Sequence, residues 1–184
     1  MDRIESFPPI VDVDSRVLVL GTMPGAESLR QSRYYAYERN HFWSVIFGLY
    51  SLEKPPEYAD RIQFLYEKRI ALWDVLASCE RRGSADAEIK EPIPNKINEL
   101  LGNHPGIGAV FLNGNGAAKL FKRYIQPELK RPVPIGVLPS TSPAYAAIPF
   151  DRKLIGWKPL LEFLSSQPCL VSRASAYFAA DKSN

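Results

Sequence analysis

The sequence predicts an α/β fold, a three-layer α/β/α sandwich around a central four-stranded parallel sheet. Four short apolar runs, each closed by a polar or turn residue, read as strands buried on both faces. Segments with helical spacing of apolar residues fall between them, and strands that alternate with helices need crossover connections, which make the sheet parallel and cover both its faces. The length of 184 residues is sufficient for this. A chain of that size buries roughly 70% of its unfolded surface, so one core forms without disulfides or metal.

Val17-Leu-Val-Leu20 is the first run, stopped by Gly21. Helical patterns follow over 41–50 and 57–68, then a second strand over 70–74. A helix over 96–101 leads to a third strand over 109–112, a helix over 117–124 and a fourth strand over 133–138. The last helix, 154–164, sets Trp157, Leu160, Leu161 and Leu164 on one side. Residues 1–167 are expected to form one domain and 168–184 a loosely held tail.

Composition narrows the function. Apolar residues at 46% and charged residues at 23% sit near the globular average, which excludes disordered, collagen-like and coiled-coil chains. No run approaches the roughly 18 apolar residues of a membrane span. Asp2 and Glu5 stand where a signal peptide carries basic and then apolar residues, so a cytoplasmic, nucleoid-associated or nuclear protein is expected. The net charge of +3 and the pI of 8.8 permit an anionic partner without demanding one. Cys79 and Cys169 form no CxxC pair, so no cysteine-rich zinc site or four-cysteine cluster is expected and both thiols read as reduced. With His41 and His104 as the only histidines, neither a catalytic triad nor a histidine metal site is expected. GxSxG, Walker A, HExxH and zinc-deaminase patterns are absent from the sequence.

Ligands of such sheets bind outside the carboxyl ends of the strands, which points to the loops 21–40, 74–95, 113–116 and 138–149. Gly21-Thr22-Met23-Pro24-Gly25 has two glycines that let backbone N–H groups approach a ligand. Tyr34-Tyr35-Ala-Tyr37-Glu38-Arg39-Asn40-His41-Phe42-Trp43 then crowds rings, cations and an amide together, as stacking on an unpaired base requires. Phe42 and Trp43 read as core, whereas Tyr34, Tyr35 and Asn40 read as cleft residues. Asn113-Gly-Asn-Gly116 lacks the third glycine of a dinucleotide fingerprint, and the Asn113 amide suits the edge of a heterocycle. Ser140, Thr141, Ser142 and Pro143 form a stiff, hydroxyl-rich loop suited to uncharged phosphate contacts. Asp74, closing the second strand, reads as a turn cap or as a base.

Taken together, Gly21-Thr-Met-Pro-Gly25 with Ser28, the 34–43 segment, Ile70-Ala-Leu-Trp-Asp-Val75 with Gly83-Ser84, Phe111-Leu-Asn-Gly114 and Leu138-Pro-Ser-Thr-Ser-Pro-Ala144 resemble the uracil-DNA glycosylase superfamily. The resemblance spans about residues 16–165 and is strongest to the sixth, hypoxanthine-DNA glycosylase family. It implies a monofunctional glycosylase that flips a deaminated base out of double-stranded DNA and hydrolyses its glycosidic bond, with hypoxanthine favoured over uracil or xanthine. The uracil enzymes place an Asp or Asn at the position of Met23 and a His at that of Leu138. In the hypoxanthine family the catalytic amide maps onto Asn40. By the same carry-over Gly21 to Gly25 bind the substrate, Tyr35 stacks on the flipped base and Asn113 reads its edge. Arg39 and Ser140, Thr141, Ser142 and Pro143 hold the DNA.

Tyr37 and Glu38 replace the family's His-Pro, and Ser142 replaces the wedge leucine of some relatives. No metal or organic cofactor is expected, and the protein is expected to be a monomer. Two other classes stay open at this point: a non-catalytic module that binds damaged DNA or a nucleobase, and a small-molecule hydrolase built on Asp74.

Overall fold

The computed structural model describes residues 3–166. Its strands are β1 (Arg3–Glu5), β2 (Val17–Gly21), β3 (Ile70–Asp74), β4 (Leu76–Glu80), β5 (Lys90–Pro94), β6 (Ala109–Asn113) and β7 (Ile135–Leu138). Its helices are α1 (Ala26–Gln31), α2 (Phe42–Gly48), α3 (Tyr58–Glu67), α4 (Ile97–Asn103), α5 (Gly114–Tyr124) and α6 (Phe150–Ser166). Strands β3, β2, β6 and β7, in that order, form the parallel sheet.

Every residue of β2 is buried, and the two faces feed separate cores. Val17 and Val19 join Phe42, Val45, Ile46, Leu65, Trp157 and Leu160 from α2, α3 and α6. Leu18 and Leu20 join Ile97, Leu101, Ala117 and Phe121 from α4 and α5. This two-sided burial is why the run lacks the apolar–polar alternation of a half-exposed strand. Each aliphatic side chain so covered contributes roughly 1.5–3 kcal/mol.

Three features differ from the sequence reading. The fourth strand begins at Ile135, because Pro132 and Pro134 have no N–H for the ladder, and it exposes Ile135 and Val137 since it lies at the sheet edge. The 113–116 loop is instead the start of α5, which begins at Gly114 with φ at +92°. The 21–40 loop contains the short helix α1.

A second, antiparallel sheet, β1-β4-β5, was not expected. Its outer strands, Arg-Ile-Glu and Lys-Glu-Pro-Ile-Pro, carry charges and prolines in place of an apolar pattern. Only Val75 separates β3 from β4, and Asn95 clamps the bend by donating from Nδ2 to the carbonyls of Asp74 and Leu76, each at 2.9 Å. Cys79 on β4 is a buried free thiol. Cys169 and the expected 168–184 tail lie outside the described residues.

Candidate active site

The register of the parallel sheet sets Asp74, Gly21, Asn113 and Leu138 in one row across the strand ends: Gly21 pairs with Asp74, Leu20 with Leu112, and Asn113 with Leu138. Above this row opens a cleft of about 1470 Å³. Small-molecule pockets span roughly 300–1,000 Å³, so the cleft has room for a nucleotide with its flanking backbone. The Gly21–Gly25 loop, Tyr35, Arg39, Asn40, Asn113 and residues 140–143 all line it.

The first loop is braced from behind. Its Gly21 and Thr22 carbonyls accept the N–H groups of Val75 and Leu76, and the N–H groups of Thr22 and Met23 have no backbone acceptor among the described residues. Thr22 Oγ1 donates to Asp86 Oδ2 at 3.0 Å, and Ser84 Oγ accepts the N–H of Ala26 at 2.9 Å. Buried Arg81 donates to the carbonyls of Gly83 and Pro24, tying the 81–86 segment to the loop. Nothing in the spacing of Arg81 and Asp86 sets them apart from solvated charges, so the sequence reading missed both. Met23 borders the cleft, but its side chain is buried in the core beside Leu18 and Leu20.

Tyr35 holds a left-handed backbone, φ +52°, a conformation that costs a non-glycine residue on the order of 1–3 kcal/mol and persists where surroundings fix it. Its ring stacks on buried Phe42 with centroids 3.9 Å apart. The phenol oxygen accepts from Asn113 Nδ2 at 3.0 Å. Asn113 Nδ2 also donates to Thr141 Oγ1 at 2.9 Å, and its Oδ1 accepts the Thr141 N–H at 3.0 Å. The amide is therefore engaged on three of its four positions, leaving one lone pair on Oδ1. Thr141 is fully buried and turned inward, whereas Ser140, Ser142 and Pro143 keep places on the cleft rim. The neighbouring Tyr34 borders the cleft but belongs mainly to the core: it is buried, packs edge-on against Phe7, and donates its hydroxyl to the Phe7 carbonyl.

Asn40 closes the aromatic segment. Its Oδ1 accepts the N–H of Phe42 at 3.0 Å, which fixes the amide orientation, because only the oxygen can face a donor. No described residue takes the Nδ2 hydrogens. His41 N–H donates to the Thr141 carbonyl at 3.0 Å, and Trp157 Nε1 to that of Pro139 at 2.8 Å, anchoring the hydroxyl-rich loop to α2 and α6.

Asp74 forms the floor. It is buried, Oδ2 has no partner, and Oδ1 lies 2.6 Å from where a Cβ on Gly21 would stand. Burial pushes its carboxyl up to about 8; Arg81 opposes the rise and Asp86 adds to it. Burial likewise raises Asp86.

The family model described as the uracil DNA glycosylase superfamily matches residues 8–155, most of the chain. The chain belongs to the uracil-DNA glycosylase superfamily. Within it, the chain is 32% identical over 111 residues to the hypoxanthine DNA glycosylase of Methanosarcina barkeri, covering 60% of this chain and 70% of that one. The hypoxanthine DNA glycosylase of Methanosarcina acetivorans is 30% identical over 114 residues, 61% of this chain and 72% of its own. These relatives place it in the hypoxanthine-DNA glycosylase family of the superfamily. The solution NMR structure of a Methanosarcina acetivorans protein described as a uracil DNA glycosylase superposes with a TM-score of 0.76 at 26% identity, over 89% of this chain and 99% of that one. The expected uracil-DNA glycosylase-like α/β fold is thus the observed one. As a DNA glycosylase, the chain takes DNA as its substrate.

Proposed function

We propose that this glycosylase removes hypoxanthine from deoxyinosine in double-stranded DNA, with Asn40 positioning the attacking water. The Asn40 amide supports this: Phe42 locks it with Nδ2 and one Oδ1 lone pair unengaged at the cleft wall. The two positions at which the uracil enzymes carry an acid or amide and a histidine are Met23 and Leu138 here, both buried in the cores. Uracil excision by that route has no side chain to perform it.

The deaminated nucleotide turns out of the duplex into the cleft, at a cost of a few kcal/mol that is smallest for a poorly paired base. Hypoxanthine opposite thymine is such a base. The free face of Tyr35, opposite the one on Phe42, stacks on it, and the Thr22 and Met23 N–H groups and the remaining Oδ1 lone pair of Asn113 meet its edge. As the glycosidic bond breaks, the sugar acquires oxocarbenium character, which calls for a placed water more than a strong nucleophile. An amide can place that water by accepting one of its hydrogens at Oδ1. Arg33, Arg39, Lys54 and Arg61 border the cleft and meet phosphates, and Ser140, Ser142 and Pro143 press on the backbone beside the extruded nucleotide. The protein works as a monomer in the compartment that holds the genome.

The test is base release from duplexes carrying one deoxyinosine or one deoxyuridine, scored by alkaline strand cleavage, with Asn40→Ala beside wild type. Cutting at deoxyinosine that Asn40→Ala loses supports the reading. Lesion binding without cutting at either base would replace it with a damage-binding module.

A further inference from the structure

The Asn40 water accounts for one half of the reaction and leaves the other open. A purine leaves poorly as an anion, and the strand end that carries a base-stabilising histidine in uracil enzymes is Leu138 here, buried in the core. The same row of strand ends nevertheless holds one ionisable group, Asp74, two strands from Asn113. Its side chain lines the cleft at the floor, with Oδ1 in the space that Gly21 leaves empty and the Tyr35 hydroxyl beside it, 2.9 Å from the same point. A residue with a Cβ at position 21 would displace that carboxyl.

The surroundings of Asp74 suit an acid and not a structural ion pair. Its Oδ2 is sealed and unpartnered, and no described residue forms a hydrogen bond or salt bridge with its carboxyl. Four charged or titratable groups act on it: Tyr34 and Tyr35 from the aromatic segment, Arg81 at the end of β4, and Asp86 from the segment that covers the first loop. Arg81, the only cation among them, is held on the carbonyls of Pro24 and Gly83. Burial and the neighbouring carboxyl therefore keep the proton on Asp74 at neutral pH.

We propose that Asp74 is the general acid of base release, a catalytic residue that hands the proton of its carboxyl to the departing purine. This rests on the hypoxanthine reading above. The electron pair of the C1′–N9 bond goes to the base, which takes the Asp74 proton at a ring nitrogen and leaves as neutral hypoxanthine. Water adds to C1′, and the proton it releases returns to the Asp74 carboxylate. Nothing else is consumed.

The experiment is single-turnover release of hypoxanthine from a deoxyinosine duplex, at saturating enzyme, from pH 6 to pH 9.5. Wild type is expected to lose rate above about pH 8, approaching tenfold per pH unit. Asp74→Asn, which is isosteric but carries no transferable proton, is expected to be slower by about 10²-fold or more at pH 7 and flat across the range. Its affinity for the deoxyinosine duplex should stay within a few-fold of wild type. A wild-type rate that is flat or rising through pH 9, or an Asp74→Asn rate within threefold of wild type, overturns the proposal while leaving deoxyinosine as the substrate. A wild type that releases no hypoxanthine at any pH overturns the functional reading, and this inference with it.

Discussion

Asn40 Oδ1 accepts the backbone N–H of Phe42 at 3.0 Å, so one amide both braces the turn that leads into helix α2 and stands at the cleft wall. Structure and chemistry are thereby coupled in a single side chain, and they can be separated. Asn40→Ala is expected to lose about 10²–10³-fold in single-turnover rate and about 0.5–1.5 kcal/mol of stability from the lost hydrogen bond to Phe42. Asn40→Ser keeps a side-chain oxygen for the Phe42 N–H and is expected to recover the melting temperature but not the rate. Recovery of both in the serine variant would mean that the amide acts only through the turn before α2.

Gly21 is required by what lies against it. A Cβ there would stand 2.6 Å from Asp74 Oδ1 and 2.9 Å from the Tyr35 hydroxyl, closer than packed atoms approach. Gly21→Ala must therefore move the floor of the cleft or the stacking ring. The expected cost is about 1–3 kcal/mol of stability by overpacking, together with loss of at least about tenfold in rate from misplaced groups. Melting temperature and single-turnover rate measured on the same preparation check it, and an unchanged rate contradicts the placement of Asp74 and Tyr35.

The buried Asp74 gives stability a pH dependence of definite sign. Unfolded, the carboxyl titrates near 3.9; folded, it holds its proton to about 8. Between these values the folded chain binds more protons, so this group's contribution is fully present below about pH 4 and is lost as pH rises through 8. Asp74→Asn removes that loss. Its melting temperature is expected to exceed that of wild type at pH 8.5, by roughly 2–4 °C for each kcal/mol recovered, with the gap closing toward pH 4. A gap that is constant or reversed contradicts the buried, protonated state.

Much of this could be read from the chain, and the rest could not, for physical reasons. Strands β2, β3 and β6 announced themselves because burial on both faces forces continuous apolar runs such as Val17–Leu20. Strands β1 and β5 did not, since three to five residues rich in charge and proline bury too little to leave a pattern. Tyr34 and Tyr35 are adjacent and chemically identical and both border the cleft, yet Tyr34 is buried in the core while Tyr35 takes the left-handed turn, a difference that no periodicity reveals. Asp74 was visible as a strand-ending acid. Only the register that seats it beside Gly21, with Tyr35 overhead, distinguishes a turn cap from a cleft floor.

Arg39 is exposed on the rim and forms no salt bridge among the described residues. If it meets one phosphate, Arg39→Gln is expected to weaken duplex binding for all sequences alike. It should also reduce the slope of log affinity against log salt by about 0.9. Titrations at several salt concentrations check this; an unchanged slope removes Arg39 from the DNA contact.

Hypoxanthine release through an Asn40-held water is decided by identifying the product. Wild type and Asn40→Ala are incubated with matched duplexes that differ only in one deoxyinosine or one deoxyuridine, and the free base is measured by chromatography. Free hypoxanthine accumulating with wild type, little uracil, and a rate at least about 10²-fold lower with Asn40→Ala is the expected result. Uracil released as fast as hypoxanthine, or equal rates for the two proteins, contradicts it.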